Sequence, residues 1–102
     1  MMHSKQRLEI IIERMALRRA CEILEAAGAT GYTVVSAMEG YGGRTRWRRG
    51  DDLSASGEMV VIVTIGDKTK IAKALEDLHR LLDDRIGVLS VSTVEVLRPE
   101  RF

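Results

Sequence analysis

No asparagine occurs in this chain, and cysteine, proline, tryptophan and phenylalanine occur once each. The lone Cys21 excludes an internal disulfide and any CxxC motif for zinc or redox work. A reducing, cytoplasmic setting fits it. Aromatics make up 4% of the residues, too few for a run of stacking platforms on single-stranded nucleic acid. Charge of one sign is also lacking. Sixteen Lys and Arg against 15 Asp and Glu leave a net +1, unlike a chain that binds DNA by bulk charge. The strongest apolar run, residues 59–65, falls far short of the ~20 residues that span a bilayer. Residues 1–7 are polar and basic, with no apolar stretch behind them long enough for a signal peptide.

What is present describes one small domain: 102 residues, 45% hydrophobic and 30% charged. A domain of this size buries roughly 60–70% of the surface its unfolded chain exposes. It must use its core fully or share one with copies of itself.

Leu8, Ile10 and Ile12 alternate with Glu9 and Glu13, the period-2 pattern of a strand. Residues 16–27 follow with Leu17, Cys21 and Leu24 at helical spacing, and Gly28 stands at the expected C′ position. Residues 32–38 form a second strand and 59–65 a third. Asp67 or Thr69 caps a helix whose apolar stripe is Ile71, Leu75, Leu78 and Leu82. Gly87 breaks the chain before a last strand over 89–96, and Pro99 stops it.

The order is β-α-β-β-α-β, an α+β, ferredoxin-like arrangement. It predicts an antiparallel sheet with both helices on one face and the first and third strands in the middle. The third strand is apolar on both its faces. One face lies under the helices, so the other is bare in a monomer. Either copies of the chain cover it, the expectation carried forward here, or a tail or loop does.

Residues 39–57 separate two strands that normally need only two to five linking residues. The segment carries Gly40, Gly42, Gly43, Gly50 and Gly57, which predict mobility. Arg44, Arg46, Arg48 and Arg49 surround Trp47, and Asp51 and Asp52 follow. The arginines supply bidentate donors for phosphate or carboxylate, and Trp47 suits a protein anchor. A solvated loop whose charges only maintain solubility is the competing reading.

Catalytic patterns are missing. There is no nucleophile elbow, no GxGxxG between strand and helix and no GxxxxGK[ST]. His79 has no second His one turn away, so no metal site is expected. Cys21 reads as a small core residue. The absence of Asn argues against acylphosphatase-type catalysis on this topology. The central strands lack the aromatics of an RNA-recognition domain.

Several stretches together resemble PII signal-transduction proteins. Gly28-Ala29-Thr30-Gly31-Tyr32-Thr33-Val34 is similar to the family's G-x-T-G-[MY]-T-V segment. Gly40-Tyr41-Gly42 resembles its GFG at the base of the long T-loop, and Arg49-Gly50-Asp51-Asp52 its RGxE. Arg85-Ile86-Gly87 resembles KIG of the B-loop, and Val96-Leu97-Arg98 the closing VIR. Leu53 stands where many members carry a modified tyrosine, so uridylylation is not expected. Gly87 runs into Val88-Leu89 where others continue DGK, so the phosphate-gripping lysine is missing. These departures resemble the PII-like branch, including carboxysome-associated and bicarbonate-transporter-associated members.

The resemblance implies a single domain over 1–102, with T-loop 39–57 and C-terminal tail 98–102, assembled as a homotrimer with its sheets facing inward. It implies no enzyme and no metal, but a regulator binding ADP or AMP, with ATP and bicarbonate as further candidates. The nucleotide would lie between subunits against Gly40, Tyr41, Gly42, Ile86, Gly87, Arg98 and Arg101. Arg44, Arg46, Trp47, Arg48 and Arg49 would engage an anion or a protein target, such as a transporter or carboxysome-related protein. No nucleic acid is expected. The alternatives are an assembly module that binds protein or nucleic acid without sensing, and a small ferredoxin-like enzyme.

Overall fold

A computed structural model describes residues 1–42, 45–48, 58–83 and 85–102, with backbone alone for residues 42 and 45–48. Strand β1 (His3–Glu13) leads through a 3-10 turn to helix α1 (Leu17–Ala26) and strand β2 (Thr33–Ala37). A ribbon of β3 (Glu39–Gly42) and β4 (Thr45–Arg48) comes next. Strand β5 (Met59–Gly66), helix α2 (Lys68–Leu82) and strand β6 (Gly87–Val96) complete the fold. The main sheet is antiparallel in the order β2-β5-β1-β6. This is the expected βαββαβ topology, with β1 and β5 in the middle.

Register explains the two faces. Ile10 lies opposite Ile62 and Leu89, and Ile62 opposite Val34, placing these side chains in one row. With Leu8, Ile12 and Val60, Ile10 and Ile62 meet α1 and α2 in one core, Leu89 packs against it, and Val34 on the edge strand stays exposed. The helices contribute Ala20, Ile23 and Leu24 from α1, and Ile71, Ala74 and Leu78 from α2. The stripe of α1 is therefore centred beside the Leu17–Cys21–Leu24 line read from spacing. Leu17 and Cys21 are only partly buried at its edge.

The opposite face carries the next row: Val35, Val61, Ile11 and Val88. Val35 is 51% and Val88 64% exposed, so apolar surface is bare in the single chain, as the two-faced third strand requires. Arg7 and Glu9 interrupt this face as a half-buried ion pair at 3.5 Å.

The structure departs from the sequence reading at four places. Strand β1 starts at His3, not near Leu8, because β6 offers it partners as far as Val96. Residues 39–48 are not without regular structure: Tyr41 pairs with Arg46 and Gly40 with Trp47. Thr45, Trp47 and Tyr41 are strand-favouring types that a loop reading discounts. Gly87 does not break the chain before the last strand but opens it, opposite Ile12. A Cβ at Gly87 would stand 2.8 Å from the Ile11 carbonyl oxygen and 2.8 Å from Leu82 Cδ2, so only glycine lets β6 approach β1 there. Asp67 does occupy the N-cap of α2, but its side chain makes no cap hydrogen bond and receives Lys5 Nζ instead. Gly28 fulfils its C′ role with φ of 95°.

Two outcomes follow from these contacts. Gly87→Ala forces backbone apart and should cost roughly 1–3 kcal/mol of stability, read by chemical denaturation. The Lys5 hydrogen bond, then its charge, hold the Asp67 carboxyl below its usual pKa. Stability from this pair is fully present above the unfolded carboxylate pKa of about 3.9 and is lost as pH falls through the lower folded value. Asp67→Asn should lower neutral stability and flatten that acid limb in pH-dependent unfolding.

Candidate functional site

Each strand runs between two ends of the sheet. One end gathers Glu13, Ala37, Met59 and Gly87; the other gathers His3, Thr33, Gly66 and Val96. The residues expected to line a nucleotide site divide between them. Gly40, Tyr41 and Gly42 lie in β3, beyond the first end, and Ile86 and Gly87 lie at that end where β6 begins. Arg98 and Arg101 follow β6 at the other end. Ten residues of extended strand separate the two groups along β6, about 30 Å. Within one chain they do not form one site. Of the expected anion loop, Arg44 and Arg49 lie outside the described residues, and for Arg46, Trp47 and Arg48 the backbone strand β4 is described.

The second end holds a pocket of about 330 Å³, at the small end of volumes that hold ligands. Its walls are Thr30 to Thr33 ahead of and into β2, Val63 to Ile65 of β5, and Arg101 with Phe102. The final turn is carried across the sheet end and tied down. Thr30 Oγ1 donates to the Arg101 carbonyl at 2.8 Å, and Lys70 Nζ donates to the Phe102 carbonyl at 3.2 Å. Thr64, only 3% exposed, donates its hydroxyl to the Gly31 carbonyl at 2.6 Å and fixes the turn before β2. Tyr32 donates to Glu25 Oε2 at 2.5 Å. That hydrogen bond, and then the Cys21 thiol, push the phenol pKa above its ordinary value.

Among the described residues, Arg101 is the one expected site residue that lines this pocket. Thr30, Gly31, Thr33 and Thr64 line it as well, and the sequence reading does not name them as site residues. The signal lay in the 28–34 segment, which carries the family likeness, and in a polar Thr64 inside an otherwise apolar strand.

At the first end, the Ile86 backbone N–H donates to Glu13 Oε1 at 3.1 Å. Beside it a larger groove, about 530 Å³, runs between α2 and β6 under Leu75, His79, Leu82 and Val88. Glu76 and His79 are its polar lining residues, whereas the smaller pocket brings together Thr30, Thr33, Thr64 and Arg101, a set better suited to an anionic or polar ligand. Among the described residues, no three His, Cys, Asp or Glu side chains gather as a metal site needs. No helix among them is long and apolar enough to cross a membrane.

Comparison with known proteins places this geometry. A family model, nitrogen regulatory protein P-II, matches residues 5–101. CPII, a nitrogen regulatory PII-like protein from Thiomonas intermedia K12 bound to ADP, AMP and bicarbonate, is similar at a TM-score of 0.90 and 24% identity. That match covers 100% of this chain and 96% of that one. CPII bound to ADP and bicarbonate is similar at 0.86 and 25% identity, over 100% and 97% of the two chains. The GlnK–ATP complex of B. subtilis shares the fold at 0.70 and 15% identity, over 97% and 96%. No curated protein matches the chain.

The tie between Thr30 and the final turn has a direct readout. Thr30→Val keeps the side-chain shape and removes the donor. Amide exchange at Arg101 and Phe102, whose N–H groups bond within the turn, should then quicken several-fold by mass spectrometry.

Proposed function

This chain belongs to the nitrogen regulatory protein P-II family, and we propose that it is a non-enzymatic signalling protein that binds ADP or AMP between subunits of a homotrimer. The carrying observation is the division of the candidate residues between opposite ends of the sheet, about 30 Å apart along β6. A cleft between two chains brings the first end of one against the second end of its neighbour. The likeness to CPII bound to ADP and bicarbonate supports that ligand class. The bare row of Val35, Val61, Ile11 and Val88 supports sheets packed inward on one another.

In this reading the Thr30–Thr33 and Val63–Ile65 pocket receives the less charged part of the ligand. The phosphates lie against backbone N–H groups of Gly40, Tyr41, Gly42 and Gly87, beside Ile86, whose own N–H is held by Glu13, with Arg98 and Arg101 neutralising them. Nucleotide, with bicarbonate as a second effector, changes the population of ordered states of residues 39–57. Arg44, Arg46, Trp47, Arg48 and Arg49 then present a conditional surface to a protein target. A transporter or a carboxysome-related protein in inorganic-carbon metabolism is the target class we favour, in a cytoplasmic setting.

Isothermal titration of the purified chain should give heat with ADP and AMP, and Arg98→Ala should weaken both at least tenfold. Light scattering should give three times the chain mass. No heat with any adenine nucleotide would sink the sensor reading. Partner binding indifferent to nucleotide would favour an assembly module.

A further inference from the structure

The loop that leads into β6 already holds an anionic group. Glu13 ends β1, and its Oε1 accepts the Ile86 N–H at 3.1 Å across 73 residues of sequence. The neighbouring Arg14 directs Nε to Glu58 Oε2 at 2.8 Å, and its backbone N–H to the Glu58 carbonyl at 2.9 Å. Arg14 and Glu58 thereby anchor the chain immediately after Glu13 to the start of β5. On the other side of the contact, Gly87 is wedged against the Ile11 carbonyl and Leu82, with no room even for a Cβ. The backbone at both ends of the Glu13–Ile86 hydrogen bond is thus set by strand pairing, and the bond itself lies exposed, where a ligand can reach it.

Resting on the nucleotide reading above, we infer that Glu13 is a specificity-determining residue that limits how many phosphates the site accepts. Its carboxylate occupies a backbone donor that phosphate would otherwise use. Its charge also repels each added phosphate in turn. For each further unit charge brought within about 6 Å of the carboxylate, at an effective dielectric of about 40–80, Kd would change by about three- to tenfold. Nucleoside mono- and diphosphates are therefore favoured over triphosphates. Gly87 runs into Val88-Leu89 where others continue DGK, and these apolar residues offer no cation to offset the effect.

The test compares ADP and ATP by isothermal titration on the full chain, as wild type, Glu13→Gln and Glu13→Ala. Glutamine keeps a carbonyl acceptor for the Ile86 N–H and removes only the charge; alanine removes both and serves if the first variant folds poorly. We expect both nucleotides to tighten in Glu13→Gln, ATP more, so that the ratio Kd(ATP)/Kd(ADP) falls three- to tenfold. The same fall in Glu13→Ala supports the inference. An unchanged ratio, or equal weakening of both nucleotides, overturns it and leaves Glu13 as a brace for the loop. A wild-type chain that binds neither nucleotide overturns the functional reading, and this inference with it.

Discussion

The pairing of β1 with β5 at the centre of the sheet carries the rest of this structure. Ile10 opposite Ile62, and Ile12 opposite Val60, set an apolar row that α1 and α2 cover. Because side chains alternate along a strand, the same register commits Ile11 and Val61 to the other face. A shift by one residue would turn the buried row out to water. The core under the helices and the bare apolar row behind it are two consequences of one register. Among the described residues, Val35 and Val88 on that second face stay exposed in the single chain.

The same strands act as a spacer. β6 runs from Gly87 to Val96 and keeps the Ile86 loop at one end of the sheet and the Arg98–Arg101 turn at the other. Strand stiffness makes this separation a fixed dimension. In the proposed nucleotide site, which needs both groups, the ligand would bridge chains and its binding would be linked to assembly. Tertiary hydrogen bonds then shape each half of such a site. Thr64 and Thr30 arrange the pocket end, and Glu13 occupies the opposite loop.

Much of the fold was legible because its signals are local. Leu8-x-Ile10-x-Ile12 declares a half-buried strand, and Ile71, Leu75, Leu78 and Leu82 declare a helical face, whatever lies elsewhere in the chain. Legibility failed where a partner decides. His3 to Arg7 have no strand pattern of their own, and become strand because β6 extends alongside. The ribbon at 39–48 was hidden by glycines and arginines, although Tyr41, Thr45 and Trp47 favour strand. Asp67 reads as a cap, yet Lys5 from β1 claims its carboxylate. Of the candidate site, the glycine-rich and arginine positions were legible as residue types. Thr64 was not, since a threonine in a strand is ordinary until its hydroxyl is found buried on the Gly31 carbonyl.

The sequence by itself determined the order of the six βαββαβ elements, the apolar face of α2, the scarcity of disulfide and aromatic chemistry, and a central strand apolar on both sides. These depend on residues within one or two turns of each other. Only the tertiary structure decided which polar groups meet: Glu13 with Ile86, Thr30 with Arg101, Lys70 with Phe102. It also decided that Gly87 is a close-packing glycine rather than a chain breaker. Each of these joins residues far apart in sequence through strand register. Register is a property of the whole sheet, and no local pattern contains it.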